Sequence, residues 1–229
     1  MKTRLHLLGA LLIVTGLLSG CAAEPSAPSS TPESAPLLTG SRGAAHFDDG
    51  YVEIGSGPKV VDLFVDPMCP FCKLFEQSSG PLLFSEAGSG EMTLRVHPLA
   101  MLNRLSQGTD YSTRASAMLV AVAAESPDSA EEYLRALYEQ QPAENTTGLT
   151  DEQLQEIAAS VEAAPVSADD LAGYEAWVDA HTQLALTGPV AATDEITAIE
   201  HVPTVVVNGA VFPGNSDETA AFADFYRAN

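Results

Sequence analysis

The apolar positions change period several times along the chain. From Leu7 to Leu18 they run almost unbroken behind Lys2 and Arg4. From Ala22 to Gly43 they have no period, because AAEPSAPSSTPESAPLLTGSRG is mostly Pro, Ser and Ala. KVVDLFVDP, Lys59 to Pro67, is β-branched and apolar on both alternating sets, the pattern of a strand buried on both faces. CPFCKLFEQSSGPLLFSEA then reads as a helix with Pro70 in its first turn, where a missing N–H costs nothing. Gly80-Pro81 is expected to interrupt and kink it. EMTLRVHPLAML, Glu91 to Leu102, predicts a second strand that passes into a loop at Pro98, so strand, helix and strand make a right-handed unit with a parallel pair.

Residues 109 to 187 carry Ala, Leu and Glu at helical spacing and form a helical block. Thr150 with Gln153 fits a capping box, and Ser167 with Asp170 fits an N-cap. HVPTVVVNGAVFPG, His201 to Gly214, predicts a hairpin turning at Asn208-Gly209, and SDETAAFADFYRAN a last helix. Trp177 falls in an amphipathic helix and is expected in the core, as are Met101 and Met118.

The first apolar run is short for a membrane span of roughly 20 residues and reads as an export signal. Its end, LLSGC, resembles the lipobox of bacterial lipoproteins, with Leu18, Ser19 and Gly20 ahead of Cys21. That resemblance implies a signal peptide over residues 1–20 and a lipidated Cys21 as the new N-terminus. A disordered tether is then expected over 21–44, since so little large apolar surface cannot order itself, and a single folded domain over 45–229.

Losing Lys2 and Arg4, with no acid in the leader, takes the formal net charge from −21 to −23. Such a charge repels nucleic acid and anionic lipid alike, so attachment to a membrane would rest on the acyl chains. Otherwise an acidic surface serves solubility.

Only Cys69 and Cys72 remain beside Cys21, so stability rests on the core and not on a disulfide framework. A zinc site would need a second ligand pair, and the sequence offers neither another cysteine pair nor a His-x3–5-His. Met68, His97 or His201 are weak candidates to complete a copper site; His97 and His181 have no partner at ligand spacing, and a loop His201 is ordinarily solvated. A structural disulfide would close a loop too small to matter. A redox pair fits the placement. At a helix start the first sulfur meets unpaired N–H groups and the positive end of the helix dipole, which favours thiolate. Cys69 is then the attacking sulfur, and Cys72, one turn in and more buried, resolves a mixed disulfide. No bound cofactor or metal is required.

The order of strand, CPFC at a helix start, helical insertion and Val202-Pro203-Thr204 before a hairpin resembles the DsbA-like thiol:disulfide oxidoreductases of the thioredoxin superfamily. The resemblance covers about residues 48–229. It implies an α/β thioredoxin fold with a helical insertion at about 105–187. It also implies a cis Pro203 opposite the cysteines, with Val202 presenting backbone to substrate, and Pro70-Phe71 as the active-site dipeptide. Two departures stand out. The resemblance would place a buried acid six residues before the first cysteine, where this chain has Leu63; Asp62 beside it should point to the opposite face of the strand. Asp66 should border the helix start, its charge working against the thiolate. Pro-Phe also replaces the Pro-His of strong oxidants, which implies a less oxidising couple.

The expected function is an anchored, monomeric, extracytoplasmic oxidase. It would form disulfides in reduced exported proteins and be reoxidised by a membrane partner. An isomerase or reductase of the same fold is the rival among enzymes; isomerases usually bring a dimerisation domain, for which residues 45–58 are too short. A binding or chaperone module on the thioredoxin fold is the rival outside them, and the intact cysteine pair speaks against it.

Overall fold

The computed structural model describes residues 37–229. The signal peptide, Cys21 and most of the tether lie outside them. A seven-stranded sheet has the order β1-β2-β3-β5-β4-β6-β7. Its strands are β1 (Ser41–Arg42), β2 (Ala45–His46), β3 (Tyr51–Gly55), β4 (Lys59–Val65), β5 (Met92–Pro98), β6 (Thr204–Val207) and β7 (Ala210–Val211). β4 and β5 are parallel, as the strand-helix-strand pattern predicts, and β6 lies antiparallel on the other side of β4. The helices are α1 (Pro70–Gly88), α2 (Tyr111–Glu125), α3 (Ala130–Glu139), α4 (Asp151–Ser160), α5 (Ala168–Thr187) and α6 (Thr219–Ala228).

β4 is buried from Val61 to Val65 because both its faces are covered. Val61, Leu63 and Val65 join the main core with residues of α1, α2, α3 and α6. Phe64 turns the other way and packs with Leu99, Val206, Ile199, Val190 and Ala185 beneath the end of α5. α2 is nearly enclosed, every residue but Arg114 and Glu125 being buried, which explains its run of Ala and Val. The Thr150–Gln153 capping box and the Ser167 N-cap form as expected. Trp177 is buried and donates its indole N–H to the Phe47 carbonyl at 3.0 Å.

Two sequence expectations are corrected. α1 runs through Gly80-Pro81 without interruption. Pro81 sits on the exposed side of the helix, and the Gln77 position whose carbonyl loses its i+4 donor is exposed too, so the unpaired carbonyl is not buried away from solvent. The tether boundary at 44 also moves. β1 pairs with β2, Leu38 packs on the core, and the Ala44 N–H donates to the Ala123 carbonyl at 2.8 Å. Gly43 has φ +53° and lies so close to the Ala123 and Ala124 carbonyls that a Cβ would collide with them. Residues 38–44 are therefore part of the folded domain.

Candidate active site

The last residues of β4 deliver the chain to a tight turn. The Asp66 carboxylate accepts the Met68 N–H at 2.8 Å, and the Asp66 carbonyl accepts the Cys69 N–H at 3.0 Å. Cys69 is the N-cap of α1 with Pro70 behind it, and its carbonyl receives the N–H groups of Cys72 and Lys73 at 3.1 and 3.3 Å. Helix geometry thus brings both sulfurs to the same helix start, and both are thiols here.

The two thiols differ sharply. Cys69 is held below its ordinary value, first by the hydrogen bond from the Cys72 thiol and then by the Cys72 and Phe71 N–H groups; burial and the Asp66 charge oppose this. Cys72 is pushed well above the usual range, chiefly by burial and then by its neighbour Cys69. The first sulfur is therefore the easier of the two to ionise and the second the harder.

Opposite the sulfurs the Val202-Pro203 bond is cis, and the Cys69 thiol donates to the Val202 carbonyl at 3.4 Å. The structure thus brings together Cys69, Pro70, Phe71, Cys72, Val202 and Pro203. Phe71 is 62% exposed and Leu74 37%, leaving an apolar surface beside the reactive sulfur. His201 is exposed, and its hydrogen bonds among the described residues go to Thr204 alone.

Several residues that complete the site carry no signal in the sequence. Gln141, just past α3, donates its amide N–H groups to the carbonyls of Pro67 and Cys69, both at 2.9 Å. Tyr138 points its hydroxyl at the Asp66 carbonyl at 3.5 Å; burial, and then the nearby Cys72, drive its own titration far up. Ser112 on α2 donates to the Asp66 carboxylate at 2.7 Å. These side chains come from the helical block, more than 40 residues from the turn they hold, so only the tertiary fold could reveal them.

Asp62 does face away from the sulfurs. It pairs with His97, whose Nε2–H donates to the Asp62 carboxylate at 2.9 Å on the second face of the sheet. His97, without a partner in sequence terms, gains this one through the parallel register of β4 and β5, and its ring stacks on Phe64 at 4.1 Å. His181 lies against the same cluster, burial and then His97 lowering it to about 3, so it stays neutral.

A sequence model of the thioredoxin family matches residues 54–224. The serine/threonine-protein kinase PknE of Mycobacterium tuberculosis is 32% identical over 127 residues, 53% of this chain and 22% of that protein. The chain thus spans about a fifth of the length of the curated relative it matches. Reduced DsbA from M. tuberculosis superposes with a TM-score of 0.61 at 24% identity, covering 78% of this chain and 91% of that one. Reduced DsbG, a disulfide bond oxidoreductase of the same organism, gives 0.61 and 24%, covering 78% and 86%. Oxidised BdbD from Bacillus subtilis gives 0.60 and 19%, covering 83% and 98%. At these identities the superpositions speak for the fold, and they agree with the helical insertion expected from the sequence. The chain belongs to the thioredoxin family, and its fold is that of the DsbA-like thiol:disulfide oxidoreductases.

Proposed function

We propose that this protein is an extracytoplasmic thiol:disulfide oxidoreductase, held at a membrane by lipid on Cys21, that forms disulfides in reduced exported proteins. The observation that carries the reading is the opposite tuning of two thiols three residues apart, Cys69 lowered and Cys72 raised. A substrate thiolate attacks Cys69 Sγ of the oxidised pair, Cys72 leaves and takes a proton, and a mixed disulfide remains on Cys69. The substrate's second thiol then displaces Cys69, which departs as thiolate. Two electrons pass from the substrate dithiol to the pair, and a membrane partner removes them. A stabilised Cys69 thiolate is a good leaving group and makes the disulfide oxidising. Phe71 and Leu74 supply an apolar surface for an unfolded segment, and the Val202 backbone, whose carbonyl lies 3.4 Å from the Cys69 sulfur, is the place where an extended strand would lie.

The test is the reduction potential of the Cys69/Cys72 couple against glutathione, together with the rate at which the disulfide form oxidises a reduced peptide. A potential well above roughly −270 mV, with rapid oxidation, is expected; a couple at or below that value is poised as a reductase. No exchange with glutathione would leave only a binding role.

A further inference from the structure

The second face of the sheet carries a cavity that the dithiol chemistry does not use. It has a volume of about 450 Å³ and lies between the sheet, which contributes Phe64 and His97, and α5, which contributes Trp177, His181 and Leu184. None of the residues gathered at Cys69 lines it. A cavity of about 150 Å³ holds one benzene ring, so this one has room for roughly two or three. Its walls are flat. Phe64 and His97 stack at 4.1 Å and 15°, His181 and Trp177 at 5.0 Å and 9°, and His97 faces His181 at 6.0 Å and 21°. Successive rings are therefore close to parallel, an arrangement that rewards a planar aromatic partner over a flexible chain.

Two polar atoms interrupt these walls. His97 is 5% exposed, and its Nε2–H is committed to the Asp62 carboxylate at 2.9 Å. Its Nδ1 is buried with no hydrogen-bond partner among the described residues, and so is Nε2 of His181. A buried polar atom without a partner is costly, so a ligand group that supplies one gains what the fold has left unmade. Both rings are held in place. Asp62 and Phe64 fix His97; Trp177 covers one side of His181, and the ring fills the space beside Gly50, where φ is +80° and a Cβ would overlap the imidazole.

We propose that this cavity is a second binding site, for an uncharged, flat aromatic molecule of about two or three fused rings whose hydroxyl group bonds His97 Nδ1. A hydroxyl donates and accepts at once, so it satisfies an imidazole nitrogen in either tautomer. An anion is disfavoured, because the exposed Asp48 and Asp49 line the cavity and the chain has a formal net charge of −21. A cation would have to give up its hydration among apolar walls where the one buried carboxylate, Asp62, already has His97 as its partner. A bound metal is disfavoured by the donor set: among the described residues no third His, Cys, Asp or Glu joins the two imidazoles in a cluster. The site stands independently of the dithiol reading.

The experiment titrates the full chain, labelled with 15N, with 2-naphthol, naphthalene and 2-naphthoate, followed by calorimetry and NMR. Trp177 is the only tryptophan, so its indole N–H gives one peak that reports on the cavity wall directly. 2-Naphthol is expected to shift that peak together with a histidine ring nitrogen. It should bind about tenfold more tightly than naphthalene, the worth of a hydrogen bond to a buried unpaired atom, although naphthalene is the more apolar of the two. 2-Naphthoate should not bind. Ala180→Phe, which puts a ring into the cavity from α5, should abolish binding and leave the reactivity of Cys69 unchanged. Asp62→Asn combined with His97→Phe, exchanged together so that no buried carboxylate loses its partner, should bring 2-naphthol down to the affinity of naphthalene. Naphthalene binding as tightly as 2-naphthol would reduce the cavity to an apolar surface and overturn the proposal. So would 2-naphthoate binding as tightly, or a capped tyrosine amide, whose single ring would point to a protein segment as the occupant. Binding that leaves the Trp177 peak in place would put the ligand elsewhere and overturn it as well. The ligand series on the wild-type chain decides the matter even if neither variant folds.

Discussion

Replacing Gln141 by Met tests whether the helical block holds the active-site turn. Met keeps the length and bulk of Gln and removes only the amide. Two hydrogen bonds disappear, to the Pro67 and Cys69 carbonyls. The Cys69 carbonyl retains the N–H groups of Cys72 and Lys73, so its loss is an ordinary bond of about 1 kcal/mol. The Pro67 carbonyl has no other partner among the described residues and lies in a buried stretch, so it bears a desolvation penalty of about 1–3 kcal/mol. The sum is about 3 kcal/mol. For a domain of this size, at roughly 2–4 °C per kcal/mol, the midpoint should fall by roughly 6–12 °C.

Thermal and urea denaturation of both redox forms are the assays, with Gln140→Met at the adjacent exposed position as control. Because Gln141 touches backbone and not sulfur, oxidised and reduced proteins should be destabilised alike and the potential should stay put. A loss below about 1 kcal/mol, or an equal loss in the control, would show that the amide contributes nothing. A change in potential beyond roughly 30 mV, worth about 1.4 kcal/mol, would show that the clamp acts on one redox form, contrary to the geometry.

Other outcomes follow from the same site. Alkylation mapped by mass spectrometry should label Cys69 first, with a midpoint below the ordinary thiol value of about 8.5, and leave Cys72 unmodified at neutral pH; the reverse order would reverse their roles. Asp66 has a folded acid at about 6 against an ordinary 3.8, so the stability it contributes is complete below pH 3.8 and is lost as pH rises through 6. At about 1.36 kcal/mol per unit this is on the order of 3 kcal/mol, and Asp66→Asn should gain that much relative to wild type between pH 4 and pH 7 in denaturant titrations; a pH-independent difference would contradict the shift. Phe71→His should raise the reduction potential by placing an imidazolium beside the thiolate, and a fall would contradict that electrostatic account. Cys21→Ser should release the protein from membranes, and a mutant still bound after fractionation would point to another anchor.

The central part of the fold was legible because its signals are local. KVVDLFVDP announces a strand covered on both faces, the cysteines sit where a helix must begin, and Val202-Pro203 precedes a run of β-branched residues ending in Asn208-Gly209. The N-terminal strands were not legible. β1 and β2 have two residues each, too few to show a period, and exist because β3 pairs with β5 some forty residues onward. Pro81 misled because local propensity ignores which side of a helix meets water. The same limit applies to the site. Its sulfurs were visible from spacing, whereas Gln141, Tyr138 and Ser112 became part of it only when α2 and α3 packed over the turn.

The charge of the protein poses a question that the site answers. A chain with a formal net charge of −21 should disfavour any thiolate, yet Cys69 is lowered. Exposed acids act through water and salt, and their influence fades over about 8 Å at physiological ionic strength. The donors at Cys69 are instead in contact with it: the Cys72 thiol and the N–H groups at the start of α1. Proximity therefore prevails over number. Asp66 is the exception that confirms the reasoning, since it is buried beside the turn, escapes screening, and its charge opposes the Cys69 thiolate. The reactivity of the pair is thus set by burial, by two or three hydrogen bonds and by one buried acid, and changes to the many surface carboxylates should leave it almost unmoved.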